Sequence, residues 1–218
     1  MPRSLWTGSL SFGLVNIPVK LYNAVSPKDI RFHLLHDKDG VRIKQKRICP
    51  ADGEEVSADH LVKGYEIAPD QYVKITPEEL ENLDPKATHT IDIEDFVGIN
   101  EIDPIYYEHT YYVAPQSAAV NAYALLLTAM KKSRKVAIAR VVLRTKQYLA
   151  AVRAHGNALL LSTLLFADEV VSQETLADLP HQDIGVDPRQ LTMAEQLIDS
   201  LTAKFDPKKY HDEYRERV

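Results

Sequence analysis

The sequence predicts a fold that is mainly β with α: an antiparallel sheet core, one central helix and a short helical C-terminal segment. Three observations predict it. Short apolar and β-branched runs recur between turn residues through the first 166 positions. One run rich in Ala and Leu, Val120 to Lys132, is the clearest helix among the first 150 residues. Beyond about Val170 the chain turns polar and acidic, then reads as helical. Residues 1–170 are therefore expected to form the core, and residues 171–218 a helical segment packed on that core or on a partner.

Leu10 to Tyr22 reads as a single strand that bends, because Gly13 and Pro18 interrupt an otherwise apolar run. Asp29 to Leu35 and Val41 to Ile48 read as two more strands, joined by the turn Asp37-Lys38-Asp39-Gly40. Another turn follows at Cys49 to Gly53, then a short helix near Ser57 to Leu61 and a strand between Glu66 and Ile75. Thr76-Pro77-Glu78-Glu79-Leu80 has the marks of a helix start, with Thr76 as cap, Pro77 in the first turn and Glu79 at the capping-box position. Strands are expected at His89 to Phe96 and Thr110 to Val113. The tyrosines Tyr106, Tyr107, Tyr111 and Tyr112 suggest a sheet face or a large contact surface.

After the central helix, Val136 to Leu143, Gln147 to Ala154 and Ala158 to Phe166 predict an antiparallel meander. Arg144-Thr145 and His155-Gly156-Asn157 are its turns. Thr192 to Thr202 predicts an amphipathic helix capped by Thr192 with Glu195, and Phe205 to Val218 a charged helical tail. Such a tail has few apolar residues to bury and needs a surface to pack on.

The chain has 218 residues and a formal net charge of -5, with 45% hydrophobic and 26% charged residues. Its apolar runs are too short to span a bilayer, and Met1 to Trp6 carries no signal segment. A single cysteine, Cys49, excludes an intrachain disulfide and fits a reducing compartment. The charge is unevenly placed. Residues 1–50 carry nine Lys/Arg against three Asp/Glu, whereas residues 51–110 carry three against sixteen. Residues 131–153 hold eight basic groups and no acidic ones, and residues 168–200 one against eight. Two basic blocks separated by an acidic one offer phosphate a face while the rest stays acidic.

Within those blocks, Arg42, Lys44 and Lys46 alternate with Val41, Ile43 and Gln45, which in a strand puts three cations on one face; Arg47 adds to them. Arg140 and Arg144 share a parity on the next basic strand, with Arg153 on the strand after. Lys131, Lys132, Arg134 and Lys135 cluster between helix and meander, and Arg31 completes the set. Long cations on sheet and loop suit sugar-phosphate contact, which carries little sequence information. No recognition helix is evident.

Other chemistries find less support. His33, His36, Cys49 and His60 form a four-ligand set on paper, but the spacing fits no zinc template and Asp52 stands where a second Cys would complete Cys-x2-Cys. No metal, cofactor or catalytic residue is therefore expected. Cys49 lacks a base partner, and the acidic residues of 51–110 form no two-metal motif. Trp6 is expected to anchor the core or a sheet edge.

Several stretches resemble the bacterial Ku proteins. They are Trp6 to Tyr22 (WTGSLSFGLVNIPVKLY), Ile30 to His36 (IRFHLLH), Arg42 to Cys49 (RIKQKRIC), Val62 to Glu66 (VKGYE), Val136 to Arg140 (VAIAR), Leu149 to Arg153 (LAAVR) and Phe205 to Tyr214 (FDPKKYHDEY). The resemblance runs from Leu5 to about Arg217. It implies a Ku-type antiparallel β-barrel core with a bridging excursion, and a cytoplasmic homodimer that threads double-stranded DNA ends through a ring lined by basic residues. It further implies a non-enzymatic role in non-homologous end joining with the ATP-dependent DNA ligase D. Relatives commonly continue into a lysine-rich extension linked to ligase contact, so ligase stimulation is expected to be weaker here. A general single-stranded nucleic-acid binder stacking bases on the tyrosines, and a metal-dependent DNA-end nuclease, are the alternatives.

Overall fold

The computed structural model describes residues 3–79, 89–180 and 185–218. Leu80, the last residue of the expected helix start, lies outside them, as do residues 181–184 of the polar stretch after Gln173. Nine strands are described among these residues, in chain order: β1 (Trp6–Phe12), β2 (Val15–Asn23), β3 (Lys63–Ala68), β4 (Gln71–Ile75), β5 (Thr90–Gly98), β6 (Tyr107–Pro115), β7 (Lys135–Leu143), β8 (Lys146–His155) and β9 (Ala158–Leu164). The helices used below are α1 (Val120–Ser133), α2 (Pro188–Leu201) and α3 (Glu213–Arg217).

Seven strands close a barrel in the order β1-β2-β6-β9-β8-β7-β5. All pairings are antiparallel except the closing one, where β1 runs parallel to β5 over Ser9↔Thr90 to Ser11↔Asp92. A parallel closing pair is what the chain's long excursion between β2 and β5 permits, since two strands joined by a tight turn have to run antiparallel. At this seam the Ser9 amide donates to the His89 carbonyl at 2.9 Å. Gly8 stands beside it with no room for a side chain: a Cβ there would overlap both the His89 carbonyl and the Trp6 ring.

The expected bent strand from Leu10 to Tyr22 is in fact a hairpin. Gly13, at φ +56°, and Leu14 form a two-residue turn, and Phe12 pairs with Val15. Positive φ at the first turn position is the geometry glycine supplies at little cost. The same device recurs at Gly156 (φ +54°) and, without glycine, at Arg144 (φ +61°). Pro18 is not at an edge. Its carbonyl accepts from the Gln116 amide at 2.9 Å where the β2–β6 ladder ends, so the missing N–H interrupts no ladder interior.

Period-two alternation fills the interior. Leu10, Ile17, Val19, Leu21, Ile91, Val113, Ala139, Val152, Leu159 and Leu161 are all buried in one cluster. Helix α1 adds Tyr123, Leu126, Leu127 and Met130 to it. Burial of this kind contributes about 1.5–3 kcal/mol per large aliphatic side chain. On the opposite face of β7 and β8, Val136 and Ala151 join Leu164 in a smaller cluster, against which Tyr106, Tyr107 and Leu149 pack. Trp6 packs on the main cluster and donates its Nε1–H to the Val142 carbonyl at 3.2 Å.

The excursion departs from expectation. Asp29 to Leu35 and Val41 to Ile48 are not strands: only isolated bridges, Leu35↔Arg42 and Ile48↔Glu55, join them to their neighbours. Two alike turns shape the segment. His36 and Val41 close one, Cys49 and Glu54 the other, and Gly40 (φ +70°) and Gly53 (φ +76°) supply the left-handed residue of each. Farther along, β3 and β4 form a separate two-stranded sheet. The capping box at Thr76 is present: the Glu79 amide donates to Thr76 Oγ1 at 3.2 Å, and the Thr76 amide donates to Glu79 Oε2 at 2.8 Å.

By compactness, residues 1–28 with 32–170 form one unit, and residues 29–31 with 171–218 a second. In the second unit, α2 starts earlier than expected. Asp187 caps it, accepting from the Arg189 amide at 2.7 Å, with Pro188 in the first turn. Thr192 instead donates its hydroxyl back to the Pro188 carbonyl. The large apolar side chains of α2, Leu191, Met193, Leu197, Ile198 and Leu201, are all exposed. Residues 207–209 form a 3-10 turn, and α3 is a single short turn of helix.

Candidate nucleic-acid interface

The residues proposed from the sequence to meet DNA lie in three groups, with Arg31 apart from them. Arg42, Lys44, Lys46 and Arg47 are on the excursion, between its two alike turns. No regular ladder forms there, so the expected alternation between two sheet faces is not realised. Arg42 and Lys44 line an open cleft of about 670 Å³ with Phe32, His33, Leu34, Ile43 and Gln45.

Lys131, Lys132, Arg134 and Lys135 surround the junction of α1 and β7. Lys131 and Lys132 occupy the last turn of α1, where the helix dipole favours cations. Arg134 ends the helix in the left-handed region at φ +53°, and β7 begins at the next residue. All four are exposed.

Arg140, Arg144 and Arg153 belong to the β7–β8 hairpin. Even-numbered residues of β7 and odd-numbered residues of β8 point away from the main core, which places Arg140 and Arg153 on the outer face. Arg144 sits in the hairpin turn. Arg31 is exposed and belongs to the second compact unit.

Pairing divides these cations. Arg140 Nε lies 2.9 Å from Glu94 Oε1, and Lys46 Nζ lies 2.6 Å from Glu55 Oε2. Their charge is already answered within the chain. Among the described residues, none of Arg31, Arg42, Lys44, Arg47, Lys131, Lys132, Arg134, Lys135, Arg144 and Arg153 enters an ion pair. Exposed pairs of this kind are worth only about 0–1 kcal/mol, yet a cation held by a carboxylate has to leave it before meeting phosphate.

Of the four clustered tyrosines, Tyr106 and Tyr107 pack on the outer apolar cluster and Tyr111 on the main core, leaving Tyr112 exposed. They do not form a row of free stacking platforms. The acidic residues of the excursion serve local structure instead. Asp39 Oδ1 accepts from the Val41 amide at 3.0 Å and lies 3.0 Å from His36 Nδ1. Asp52 Oδ1 accepts from the Glu54 amide at 2.9 Å. Those amide hydrogen bonds, with a lesser part from His36 and Cys49 respectively, hold both carboxyls below the usual carboxylate range. Among the described residues no group of three or more His, Cys, Asp or Glu side chains is placed to hold a metal ion, so His33, His36, Cys49 and His60 are not brought together as a ligand set. No described helix is long and apolar enough to cross a membrane.

The family model of the Ku70/Ku80 beta-barrel domain matches residues 11–193. The chain belongs to the Ku family. A protein of Anaeromyxobacter sp. (strain K) named "Non-homologous end joining protein Ku" is 53% identical over 219 residues, covering 100% of this chain and 73% of its own length. Proteins of the same name from Heliobacterium modesticaldum and Bacillus subtilis are 47% and 41% identical, each covering 99% of this chain. The Ku match covers the barrel from Ser11 onward, the excursion and part of the second unit, and every cation named above falls inside it.

Proposed function

We propose that this Ku protein binds the ends of double-stranded DNA without sequence preference, as a ring-shaped homodimer acting in double-strand break repair by non-homologous end joining. It recruits and stimulates the ATP-dependent DNA ligase D. The single observation that carries this reading is the family match, with whole-chain relatives named for non-homologous end joining. The surface supports it. Unpaired cations on the excursion, at the end of α1 and on the β7–β8 hairpin suit a backbone that offers charge and no sequence.

A dimer is supported by apolar surface left open in each unit taken by itself. Phe32, Leu34, Ile43, Tyr65 and Tyr72 are exposed on the excursion, and Leu197, Leu201, Phe205 and Tyr214 in the second unit. Exposed apolar surface on this scale marks a contact site, and a second copy covers such a site twice through one symmetric interface. The single-stranded alternative needs a run of adjacent stacking platforms, which the packing of Tyr106 and Tyr107 on the outer cluster does not supply.

The test is the mass of the complex on a short linear duplex, followed by the rate at which ligase D joins two such duplexes. Two copies per end and faster joining are expected. A single copy per end contradicts the dimer, and an unchanged joining rate contradicts ligase recruitment.

A further inference from the structure

One end of the barrel is an open mouth. The start of β1, the end of β2, the start of β6 and the β7–β8 turn meet there around a cleft of about 460 Å³, within the range of small-ligand sites. Its walls include the rings of Trp6, Tyr111 and Tyr148. All three pack against the main core, so the core fixes their positions. Arg144, His109 and Asn23 add polar side chains to the lining.

The opening is electrostatically uneven. Arg144 enters no ion pair among the described residues, and its guanidinium is near enough to act on the Tyr111 phenol. Glu108 acts on the same phenol, more strongly than Arg144; it lies 3.5 Å from Nε2 of the lining His109 and accepts from Thr163 Oγ1 at 3.3 Å. Lys146 Nζ stands 5.1 Å from the Tyr148 ring centre but also 3.9 Å from Glu169 Oε1, which leaves Arg144 as the unpaired cation for an anion at this wall. Arg144 is also held at φ +61°, in a turn position that glycine fills in the Gly13 and Gly156 hairpins. An arginine kept there at a conformational cost points to a use for its guanidinium.

We propose that this mouth binds one unstacked nucleotide, its base against the aromatic walls and its phosphate on Arg144. Base stacking on aromatic side chains is tolerant of sequence, and an arginine fork matches phosphate oxygens. The site rests on the DNA-end reading and deepens it: a frayed terminal nucleotide is the form in which a broken strand offers a base and a phosphate together.

Trp6 is the only tryptophan, so its fluorescence reports on the mouth directly. The full chain is titrated with deoxyadenosine 5′-monophosphate, and separately with deoxyadenosine, inorganic phosphate and N-acetylphenylalanine. The expected result is a saturable change with the mononucleotide, with each half binding at least about tenfold more weakly. Arg144→Gly, which suits the turn and so keeps the fold, weakens the mononucleotide by roughly tenfold through loss of a charge-assisted contact. Tyr148→Leu weakens deoxyadenosine as well. No saturable change with the mononucleotide overturns the proposal, as does an unaltered Arg144→Gly. Tighter binding of N-acetylphenylalanine also overturns it and assigns the mouth to a peptide carboxylate. A free mononucleotide cannot thread a ring, so a silent mouth in a protein that still binds linear duplex removes this site and leaves the end-binding reading standing.

Discussion

The hydroxyl of Tyr123 sits between Val113 and Leu159, donating to the Val113 carbonyl at 2.6 Å and accepting from the Leu159 amide at 2.7 Å. Val113 and Leu159 are paired residues of β6 and β9. One side chain of α1 thus bridges two barrel strands where their ladder ends, and burial raises its phenol above the ordinary tyrosine range.

Tyr123→Phe removes that bridge and leaves a buried amide without its acceptor. The expected cost is about 1–3 kcal/mol, read from urea unfolding of the variant against the parent. An unchanged midpoint would mean that the helix adds packing alone.

The closing seam of the barrel depends on an absent side chain. Gly8→Ala forces a methyl group into the His89 carbonyl and the Trp6 ring. A loss of about 1–3 kcal/mol is expected from such overpacking, together with faster hydrogen exchange at the Ser9 amide. A fully stable Gly8→Ala protein with a protected Ser9 amide would refute the close approach.

The two alike turns of the excursion are held by ionised carboxylates. Asp39 and Asp52 are held below the ordinary aspartate range in the folded state, so their contribution is complete above the unfolded value and is lost as pH falls through the folded one. Below about pH 4 the Val41 and Glu54 amides should therefore lose protection while the barrel amides keep theirs. Asp39→Asn and Asp52→Asn should each abolish the transition in its own turn. Turns that stay protected through this range would show that backbone hydrogen bonds hold them unaided.

Ion pairing separates the cations into two groups with different expected effects. Joint reversal of Arg42, Lys44 and Arg47 to Glu should lower affinity for a linear duplex by more than about a hundredfold and flatten its salt dependence, since each lost phosphate contact removes close to one unit of slope. Lys46→Ala, at a cation already held by Glu55, should cost less than about threefold. Equal losses from both would assign the effect to net charge.

Much of the barrel was legible because local signals agreed with the tertiary fold. The β7–β8–β9 meander follows from alternation and from the turn at Gly156, and α1 from its Ala and Leu content. The first hairpin was not, because Leu14 is an apolar residue lying fully exposed at the turn and its run of hydrophobicity hides the reversal. Residues 29–48 alternate like a strand but have almost no partner to pair with, and alternation without a ladder makes no sheet. Asp187-Pro188 outcompetes Thr192 as the start of α2 by combining a cap with a preset first turn. The cationic groups were visible as clusters. Their pairing with Glu94 and Glu55 was not, since it depends on which strands and turns become neighbours.

The central claim is that duplex ends are entered by threading. A gel shift at one salt concentration, comparing a linear duplex with the same sequence as a covalently closed circle, tests it most directly. Binding confined to the linear form is the predicted result. Equal binding to the closed circle would contradict a ring and leave an open charged surface in its place.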